Sequence, residues 1–276
     1  MNVAGRSSAM TKTTPTPSPG PAHPYTDLHN HLIPAVDDGA RTAAEAIQCL
    51  RMLAADGVGT VVTTPHLLLP RLDTVAAVEA ELDRHRRAFD RLLAATEGEQ
   101  GLPELGLGQE IWASSADMIA QVIACEGLGL AGTPYLLIEF GFDLQGTHAD
   151  VIDEVLQSGR RIVIAHTERY RFPDGLDPLE TAASWHDAGA LLQVNTGSFT
   201  GYYRDSNPGA QQLAWALLEA SLADVIATDH HGLRRSRGSP REAYAALAAA
   251  GQAAQAEQLL GATPSGLLAG TAVRAE

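Results

Sequence analysis

The residues best suited to chemistry in this 276-residue chain are histidines and carboxylates that follow short apolar runs. His29 and His31 stand on either side of one residue, directly after the first such run. Because alternate residues of a strand share a face, both imidazoles can point into one cavity. A loop carboxylate follows them, either Asp37 or Asp38, just before Gly39. Imidazole and carboxylate in this arrangement indicate a metal-binding site.

Further ionisable residues occupy the same position after later apolar runs. They are His66, Glu110, His166 and the segment Asp229-His230-His231. Of the two adjacent histidines we favour His231, because it shares a face with Asp229. Buried together, so many charges would be unstable unless cations neutralised them. The ligands outnumber those that one ion with an open position needs, so we expect two or three divalent metals, and Mn, Fe and Zn all suit these ligands.

Short apolar runs alternate with longer helical segments from Tyr25 onward, which is typical of βα units around a parallel sheet. The predicted strands end near His29, Thr63, Glu110, Phe140, Ala165, Asn195 and Thr228. The predicted helices cover about 42–56, 73–97, 147–158, 178–189, 208–221 and 239–260. Seven strands in this order favour a distorted α/β barrel over an open sheet. Catalytic groups gather at the carboxyl ends of the strands in such folds, so the ionisable residues would meet there.

The composition bears on domain organisation and on partners. Residues 1–24 are rich in Pro, Ser, Thr and Gly and predict a disordered leader, followed by one catalytic domain over residues 25–276. No apolar run reaches the ~20 residues of a membrane-spanning helix, so we expect a cytoplasmic protein without stable membrane insertion. The net charge of −14 argues against a nucleic-acid partner, which would attract clustered Lys and Arg.

The cysteines and the remaining histidines have simple structural interpretations. Cys49 and Cys125 lie in or near predicted helices, so we expect neither a disulfide nor a thiolate metal site. His85, His148 and His186 also fall in predicted helical stretches, where we expect their side chains to face solvent.

Seven segments together resemble the PHP (polymerase and histidinol phosphatase) superfamily, and within it the metal-dependent bacterial protein tyrosine phosphatases found with capsule and exopolysaccharide genes. They are DLHNHLIPAVDDG from Asp27, TTPH from Thr63, GQEIW from Gly108, YLLIEF from Tyr135, VIAHTERY from Val163, LLQVNTGSFTG from Leu191 and IATDHHGL from Ile226. The H-x-H and D-x-H ends are typical of the superfamily, whereas YLLIEF, AHTERY and QVNTGS are typical of the phosphatase subgroup. The resemblance covers nearly all of the chain after residue 24.

The resemblance implies a distorted (β/α)7 barrel with a trinuclear metal site at the carboxyl ends of its strands. Carried over by position, the ligands are His29, His31, Glu110 and Asp229 in one part, His66 and His166 in another, and Asp38 with His231 in the rest, with Glu110 bridging. Asp38 is chosen because the family's ligand directly precedes the glycine. A hydroxide that bridges two metals is the expected nucleophile for attack on phosphorus.

Arginines are the expected ligands of the phosphoryl oxygens, because the planar guanidinium can pair with phosphate through two hydrogen bonds. Arg169 is the best candidate, although it could instead pair with Glu168 or a surface acid. The family has a second arginine in the loop after the last metal ligand, but this chain has Ser236 at that spacing. Arg235 or Arg237 could substitute for it after a shift of one residue.

The resemblance also implies a substrate, which is phosphotyrosine in a protein. The expected partner is the tyrosine-rich tail of an autophosphorylating bacterial tyrosine kinase, in the regulation of exopolysaccharide synthesis. A histidinol-phosphate phosphatase, or another hydrolase of small phosphoesters, is the alternative that uses the same metals. A non-catalytic metal-binding regulatory protein is the alternative of another class. The sequence leaves the oligomeric state open.

Overall fold

Parallel strands that alternate with helices make up the part of the chain that the structure, a computed structural model, describes: residues 23–235 and 238–271. The strands are β1 (Tyr25–Asp27), β2 (Val58–Thr63), β3 (His66–Leu68), β4 (Glu104–Leu107), β5 (Glu110–Trp112), β6 (Tyr135–Glu139), β7 (Arg161–Ile164), β8 (Leu191–Asn195) and β9 (Ala223–Ala227). The helices are α1 (Ala43–Ala55), α2 (Val75–Thr96), α3 (Ala116–Val122), α4 (His148–Gln157), α5 (Pro178–Asp187), α6 (Thr196–Thr200), α7 (Pro208–Glu219), α8 (Pro240–Ala249), α9 (Ala253–Glu257) and α10 (Thr263–Leu268). The predicted mixed α/β class is confirmed.

The longer helices begin and end at residues that satisfy free backbone groups. Thr42 caps α1 and Thr74 caps α2, each through a hydroxyl that accepts a backbone N–H at 3.2 Å. The carboxylate of Asp177 does the same at the start of α5. Gly57 and Gly159 follow α1 and α4 with φ of 98° and 80°, the left-handed conformation that ends a helix at low cost.

The strands form two sheets, with the orders β1-β2-β4 and β3-β5-β6-β7-β8-β9, and all of these pairs are parallel. Two predicted strands are each divided, because β2 leads into β3 and β4 leads into β5. Pro65 lies in the first break and has no N–H to donate. Backbone pairing continues across the breaks, since Gly108 N donates to Thr63 O (2.8 Å) and Glu110 N donates to Pro65 O (3.1 Å). The breaks lie directly before His66 and Glu110.

The first and last strands meet beyond their carboxyl ends. Asn30 and His230 form a parallel bridge, and His31 N donates to His230 O at 2.8 Å. The buried carboxylate of Asp27 accepts from Thr228 N (2.9 Å) and Thr228 Oγ1 (2.7 Å). These bonds place the H-x-H segment beside the D-x-H segment, although about 200 residues separate them in sequence.

The strands bury apolar side chains on both faces, as expected for parallel sheets covered by helices. In β6 and β7, Leu136 and Ile162 belong to the larger core formed with the helices. Their neighbours Leu137 and Val163 belong to a separate, smaller cluster. That smaller cluster takes alternate residues of five strands: Val62, Leu137, Val163, Leu191, Val225 and Ala227. Residues two positions after Leu137 in β6, after Leu191 in β8 and after Ala227 at the end of β9 are therefore expected to face the same interior.

The expectation that three helical histidines face solvent is wrong for His85 and His148, which are 0% and 1% exposed. His85 Nδ1 lies 2.7 Å from Gln109 Oε1, and the His148 ring stacks on Phe140 with centroids 4.8 Å apart. His186 is partly buried beside Asp224. Both cysteines are buried free thiols, as predicted. Helical periodicity alone did not show which face of α2 and α4 carries the histidine.

Burial of His148 should make the protein less stable in mild acid. Burial lowers the pKa of His148 in the folded state, whereas the unfolded chain keeps the ordinary value of about 6.5. The unfolded state therefore binds the proton first, and stability falls as the pH drops through about 6.5 towards the folded-state pKa. We expect chemical unfolding of the metal-free protein to show a larger loss between about pH 7.5 and 5.5 for the wild type than for His148→Gln. Equal losses would place the acid sensitivity at another group.

None of the helices in the described residues combines the length and the apolar character that crossing a bilayer requires. Residues 1–22 of the predicted leader lie outside the described residues, so its disorder stays a prediction.

Candidate metal centre

The side chains predicted as metal ligands lie together at the carboxyl ends of the strands. Their donor atoms fall into overlapping groups in which all atoms lie within 4.8 Å of one another. These groups are His31, Asp38, His66 and His231; His29, His166 and Asp229; His29, His31 and Glu110; and His66, Glu110 and Glu139. The structure thus brings all eight predicted ligands together, and it groups His66 with Asp38 and His231 rather than with His166.

Glu110 occupies the centre of this cluster and is 1% exposed. Its Oε1 lies 3.2 Å from His29 Nε2 and 3.0 Å from His166 Nε2. Its Oε2 lies 3.3 Å from His31 Nε2 and 2.7 Å from His66 Nδ1. A single carboxylate at the start of β5 therefore contacts four imidazoles, which is the geometry of a bridging ligand.

Asp38 and Asp37 have different roles at the edge of the cluster. An oxygen of Asp38 lies 3.4 Å from His66 Nε2 and 3.4 Å from His231 Nε2, so this carboxylate faces the donor atoms. Asp37 instead contacts the far side of a ligand, 2.7 Å from His31 Nδ1, and accepts from the backbone N of Gly39 at 2.9 Å. Asp37 can orient His31, while Asp38 directs one oxygen towards two of the predicted ligands.

Asp229 connects the cluster to an arginine. Its Oδ1 lies 3.6 Å from His29 Nε2 and 3.5 Å from His31 Nε2. Its Oδ2 accepts from Arg169 Nη1 at 2.7 Å and from Asn195 Nδ2 at 2.9 Å. Arg169 therefore pairs with a predicted metal ligand and not with the neighbouring Glu168.

The pKa values of the clustered side chains favour the binding of cations. Burial opposes the charge on Glu110, but His29 and His66 outweigh it and hold the pKa of Glu110 well below its usual range. Burial also opposes protonation of His66, yet Glu110 raises the pKa of His66 to about 10. The pKa of His166 falls to about 4 through burial and the charge of Arg169. The carboxylate charge draws protons onto the imidazoles, and bound metals would take their place.

Several buried side-chain atoms of the cluster make close contacts but no hydrogen bond of normal geometry within the described residues. Among them are His29 Nε2, His31 Nε2, His66 Nδ1, His166 Nδ1 and Glu110 Oε2. Buried polar atoms are nearly always paired, so a group of them at one place calls for a ligand. Metal ions at the centre would satisfy ring nitrogens and carboxylate oxygens together. The residues present therefore fit a polynuclear metal site.

Two ligand positions have unusual backbone conformations. His166 has φ of 32° and Asp229 has φ of 50°, both in the left-handed region that residues other than glycine rarely adopt. Such conformations persist at functional sites when the surrounding structure holds them. Here the backbone N of His166 donates to Gln193 Oε1 (2.8 Å) and that of Asp229 donates to His29 O (2.8 Å).

Glu139, at the end of β6, is a functional candidate that the sequence analysis missed. It is 8% exposed and shares a donor group with His66 and Glu110. Burial, with the charge of Glu110, raises the pKa of Glu139 to about 7. The signal was present in the sequence, since Glu139 follows Leu137 by two positions on the inward face of a predicted strand. Placing the strand end at Phe140 concealed it.

Gln193 and Asn195 of β8 form a second layer behind the ligands, and the sequence analysis assigned neither a role. Gln193 Oε1 lies 3.0 Å from His29 Nδ1, and Gln193 Nε2 donates to Asn195 Oδ1 at 2.7 Å. With Nδ1 of His29 donating to this amide oxygen, Nε2 carries the lone pair that faces the cluster. Asn195 in turn holds Asp229.

Replacing Gln193 with Leu should weaken metal binding without removing a ligand. The variant loses the acceptor that selects the tautomer of His29, and changes of this kind lower metal affinity by roughly 10- to 100-fold. Titration of the metal-stripped protein with Mn, followed by calorimetry, measures the effect. Gln193→Glu keeps an acceptor and should bind metal more tightly than Gln193→Leu. Equal affinities for the wild type and Gln193→Leu would exclude an orienting role.

The loop arginines differ in how the structure places them. Arg235 Nη1 donates to Asp38 Oδ2 at 3.0 Å, so this guanidinium lies at the edge of the cluster. Arg237 lies outside the described residues. The Arg169 guanidinium carbon is 5.1 Å from the ring centroid of Phe142 and 5.4 Å from that of Tyr203. Arg169 is thus held between two rings as well as by Asp229.

A cavity of about 920 Å³ opens above the cluster. Its floor includes Glu110, His166 and Asp229, and its wall includes Trp112 and Phe142. The metal site is therefore accessible from outside through a cavity with polar and apolar surfaces.

Comparisons with known proteins give the family of the chain. The family described as "Capsular polysaccharide synthesis, CpsB/CapC" matches residues 25–269. Tyrosine-protein phosphatase YwqE of Bacillus subtilis (strain 168) is 30% identical over 227 residues, which are 80% of this chain and 83% of YwqE. A putative tyrosine-protein phosphatase, CapC of Staphylococcus aureus, is 28% identical over 209 residues, 75% of this chain and 77% of CapC.

A solved structure agrees over almost the whole fold. It comes from work on YwqE of Bacillus subtilis and CpsB of Streptococcus pneumoniae, described as metal-dependent tyrosine phosphatases. The TM-score is 0.72 at 26% identity, and the match covers 91% of this chain and 97% of that one. The resemblance drawn from the seven sequence segments is thereby confirmed. The chain belongs to the CpsB/CapC family of capsular polysaccharide synthesis proteins.

Proposed function

We propose that this chain is a metal-dependent phosphomonoesterase that hydrolyses phosphotyrosine in proteins. The observation that carries the proposal is the cluster of buried imidazoles and carboxylates at the floor of an open cavity, with Arg169 hydrogen-bonded to Asp229 at its side. The names of the relatives support the substrate, since YwqE and CpsB are called tyrosine-protein phosphatases.

Two or three divalent cations, with Mn first and Fe or Zn as alternatives, would be held by the eight predicted ligands and by Glu139. We assign His29, His166 and Asp229 to one position, and Asp38, His66 and His231 to another. His31 and Glu110 lie in more than one donor group and would complete the positions between them. When bound, such cations lower the pKa of coordinated water to about 7 and so supply a hydroxide nucleophile.

The side chains of the chain bind and orient the phosphate. Arg169 donates one Nη1 hydrogen bond to Asp229, and its other N–H groups remain for phosphoryl oxygens. Asp229 and the two flanking rings limit the motion of the guanidinium, so less freedom is lost on binding. Arg235 supplies a second positive charge beside Asp38. Tyrosinate is a good leaving group for a phosphate ester, because the phenol pKa is only about 10. A strong general acid is therefore not required.

The fold we propose is a distorted (β/α)7 barrel with the metal site at the carboxyl ends of its strands. Three observations support closure of the barrel. If β2 and β3 are counted as one strand, and β4 and β5 as another, the nine strands become seven. Asn30 near the first strand pairs with His230 near the last, and one apolar cluster takes residues from five strands. We further propose one phosphoesterase domain over residues 25–276 after the leader of residues 1–24.

The proposed partner is the phosphorylated tail of a bacterial tyrosine kinase that regulates exopolysaccharide synthesis. The family description supports a role near capsular polysaccharide synthesis. An intracellular kinase tail as substrate would require a cytoplasmic location, which stays a prediction. The net charge of −14 supports a protein partner over a nucleic acid.

Substrate comparison tests the proposal. Metal-stripped protein is supplied with Mn and offered a phosphotyrosine peptide, a phosphoserine peptide, histidinol phosphate and a dinucleotide. We expect Mn-dependent turnover with a clear preference for phosphotyrosine. Preference for another substrate would keep the metal site and overturn the proposed activity, whereas no turnover of any would favour a regulatory metal-binding protein.

A further inference from the structure

Phe142 is a large apolar side chain in an unusual place. It is 45% exposed, and of the well-exposed large apolar side chains in the described part of the chain it alone lines the cavity above the metal cluster. A partly exposed aromatic ring in a cavity offers an apolar surface and a π face that a bound ligand can cover. The contact with Arg169 accounts for part of this ring, and the rest of it faces the cavity.

The backbone around Phe142 is held in place. Gly141 has φ of 78°, and a side chain there would also press on Trp112 Nε1, at 3.1 Å from its Cβ. Phe142 O accepts from Arg171 N at 2.7 Å, and Leu144 N donates to Arg171 O at 3.1 Å. These bonds join the segment after β6 to the segment after β7. The ring is therefore presented by paired backbone rather than by a free loop.

An ion pair between Asp143 and Arg171 strengthens this backbone pairing. Arg171 donates to both carboxylate oxygens of Asp143, Nε to Oδ1 at 2.6 Å and Nη2 to Oδ2 at 2.8 Å. Both side chains are well exposed, so the contribution to stability is small. The bidentate geometry nevertheless sets the direction of the segment, and thereby of Phe142.

Phe142 lies beside the groups that are proposed to bind the phosphate. Its centroid lies 6.4 Å from that of His166, with planes only 21° apart, and 5.1 Å from the guanidinium carbon of Arg169. In an aryl phosphate a single ester oxygen separates phosphorus from the ring. A phosphoryl group between Arg169 and the metal ligands would place that ring beside Phe142. The chain of an alkyl phosphate has no π face to stack there.

We propose that Phe142 is the specificity-determining residue that selects aryl phosphates by stacking on the phenyl ring, with Leu68 and Trp112 lining the same cavity. The inference rests on the proposed phosphatase function for its biological meaning. The binding preference itself can be tested without that function, because it concerns only whether an aromatic group next to a bound phosphoryl or phosphonyl group is favoured.

Binding of two non-hydrolysable ligands tests the inference. Mn-loaded protein is titrated by calorimetry with phenylphosphonate and with methylphosphonate, which differ only in the group next to phosphorus. We expect the wild type to bind phenylphosphonate about tenfold more tightly, and Phe142→Ala to bring the ratio close to one. Phe142→Trp should keep the preference. Leu176→Ala, at an exposed apolar side chain outside the cavity, is the matched control and should leave the ratio unchanged.

Two outcomes would overturn the inference: a ratio near one in the wild type, or an unchanged ratio in Phe142→Ala, which includes equal losses of affinity for both ligands. Equal losses would mean that Phe142 only supports Arg169. These outcomes are distinct from failure of the proposed function, which the turnover of phosphotyrosine peptide decides. The two tests are independent, because the ratio of phosphonate affinities can be measured whichever phosphoester the protein hydrolyses.

Discussion

Replacing Glu110 with Gln is expected to reduce kcat for a phosphotyrosine peptide on the order of 10³-fold and to release bound metal. The carboxylate contacts four imidazoles and lies in two donor groups, so the substitution disturbs much of the cluster at once. An amide has one acceptor oxygen and no charge, and it cannot bridge two cations in the way a carboxylate does. Metal content by mass spectrometry and kcat by phosphate release measure the two effects.

Glu104→Gln, on the exposed start of β4, is the matched control and should keep both metal and activity. Circular dichroism separates loss of the site from loss of the fold. We expect the fold to survive, because Glu110 belongs to the polar cluster and not to the apolar core. Full metal content with normal kcat in Glu110→Gln would refute the site as assigned. His166→Ala should likewise abolish turnover and leave the fold intact.

The second large effect concerns Arg169. Arg169→Ala should lower kcat by roughly 10² to 10³-fold, as removal of one donor from a developing anion does in other enzymes. Metal content should stay the same, because Asp229 retains its hydrogen bond from Asn195. Arg169→Lys should recover part of the loss, since it restores charge but not the planar fork. The readouts are kcat and KM for the peptide, together with metal content.

Arg51→Ala provides a control with a similar change in charge, because Arg51 also pairs with a carboxylate, that of Glu99, but on the exposed surface. We expect no change in kcat for this variant. A normal kcat in Arg169→Ala would assign the phosphate-binding role to another arginine, with Arg235 as the next candidate. Loss of metal together with activity would instead show that Arg169 acts by holding Asp229.

Much of the site could be predicted because strand periodicity is a local property. Two residues per repeat predicted that His29 lies with His31, and Asp229 with His231. In the structure both pairs lie just beyond β1 and β9, and both contribute to the cluster. The carboxyl ends of parallel strands share one edge, so residues after different strands are expected to meet. Glu139 obeyed the same rule, and a one-residue error in the strand end hid it.

Contacts between distant segments could not be predicted in the same way. The helical pattern of α2 and α4 places His85 and His148 at polar positions, yet packing against Gln109 and Phe140 buries both. The break between β4 and β5 also lies at a close tertiary contact, since an added Cβ at Gly108 would lie 2.8 Å from Leu130 Cδ2. Neither the burial of these histidines nor the close approach at Gly108 can be predicted from the neighbouring residues in the sequence.

The sequence by itself determined the mixed α/β class and the family and predicted eight ligands, because each depends on residue type and on spacing within short segments. Only the tertiary structure decided which ligands share a donor group, that Arg169 pairs with Asp229, that Gln193 orients His29, and that Phe142 lines the cavity. The physical reason is register. Strand pairing fixes which residues of distant segments face each other to within a few ångströms, and hydrogen bonds, ring contacts and metal coordination depend on distances of that size.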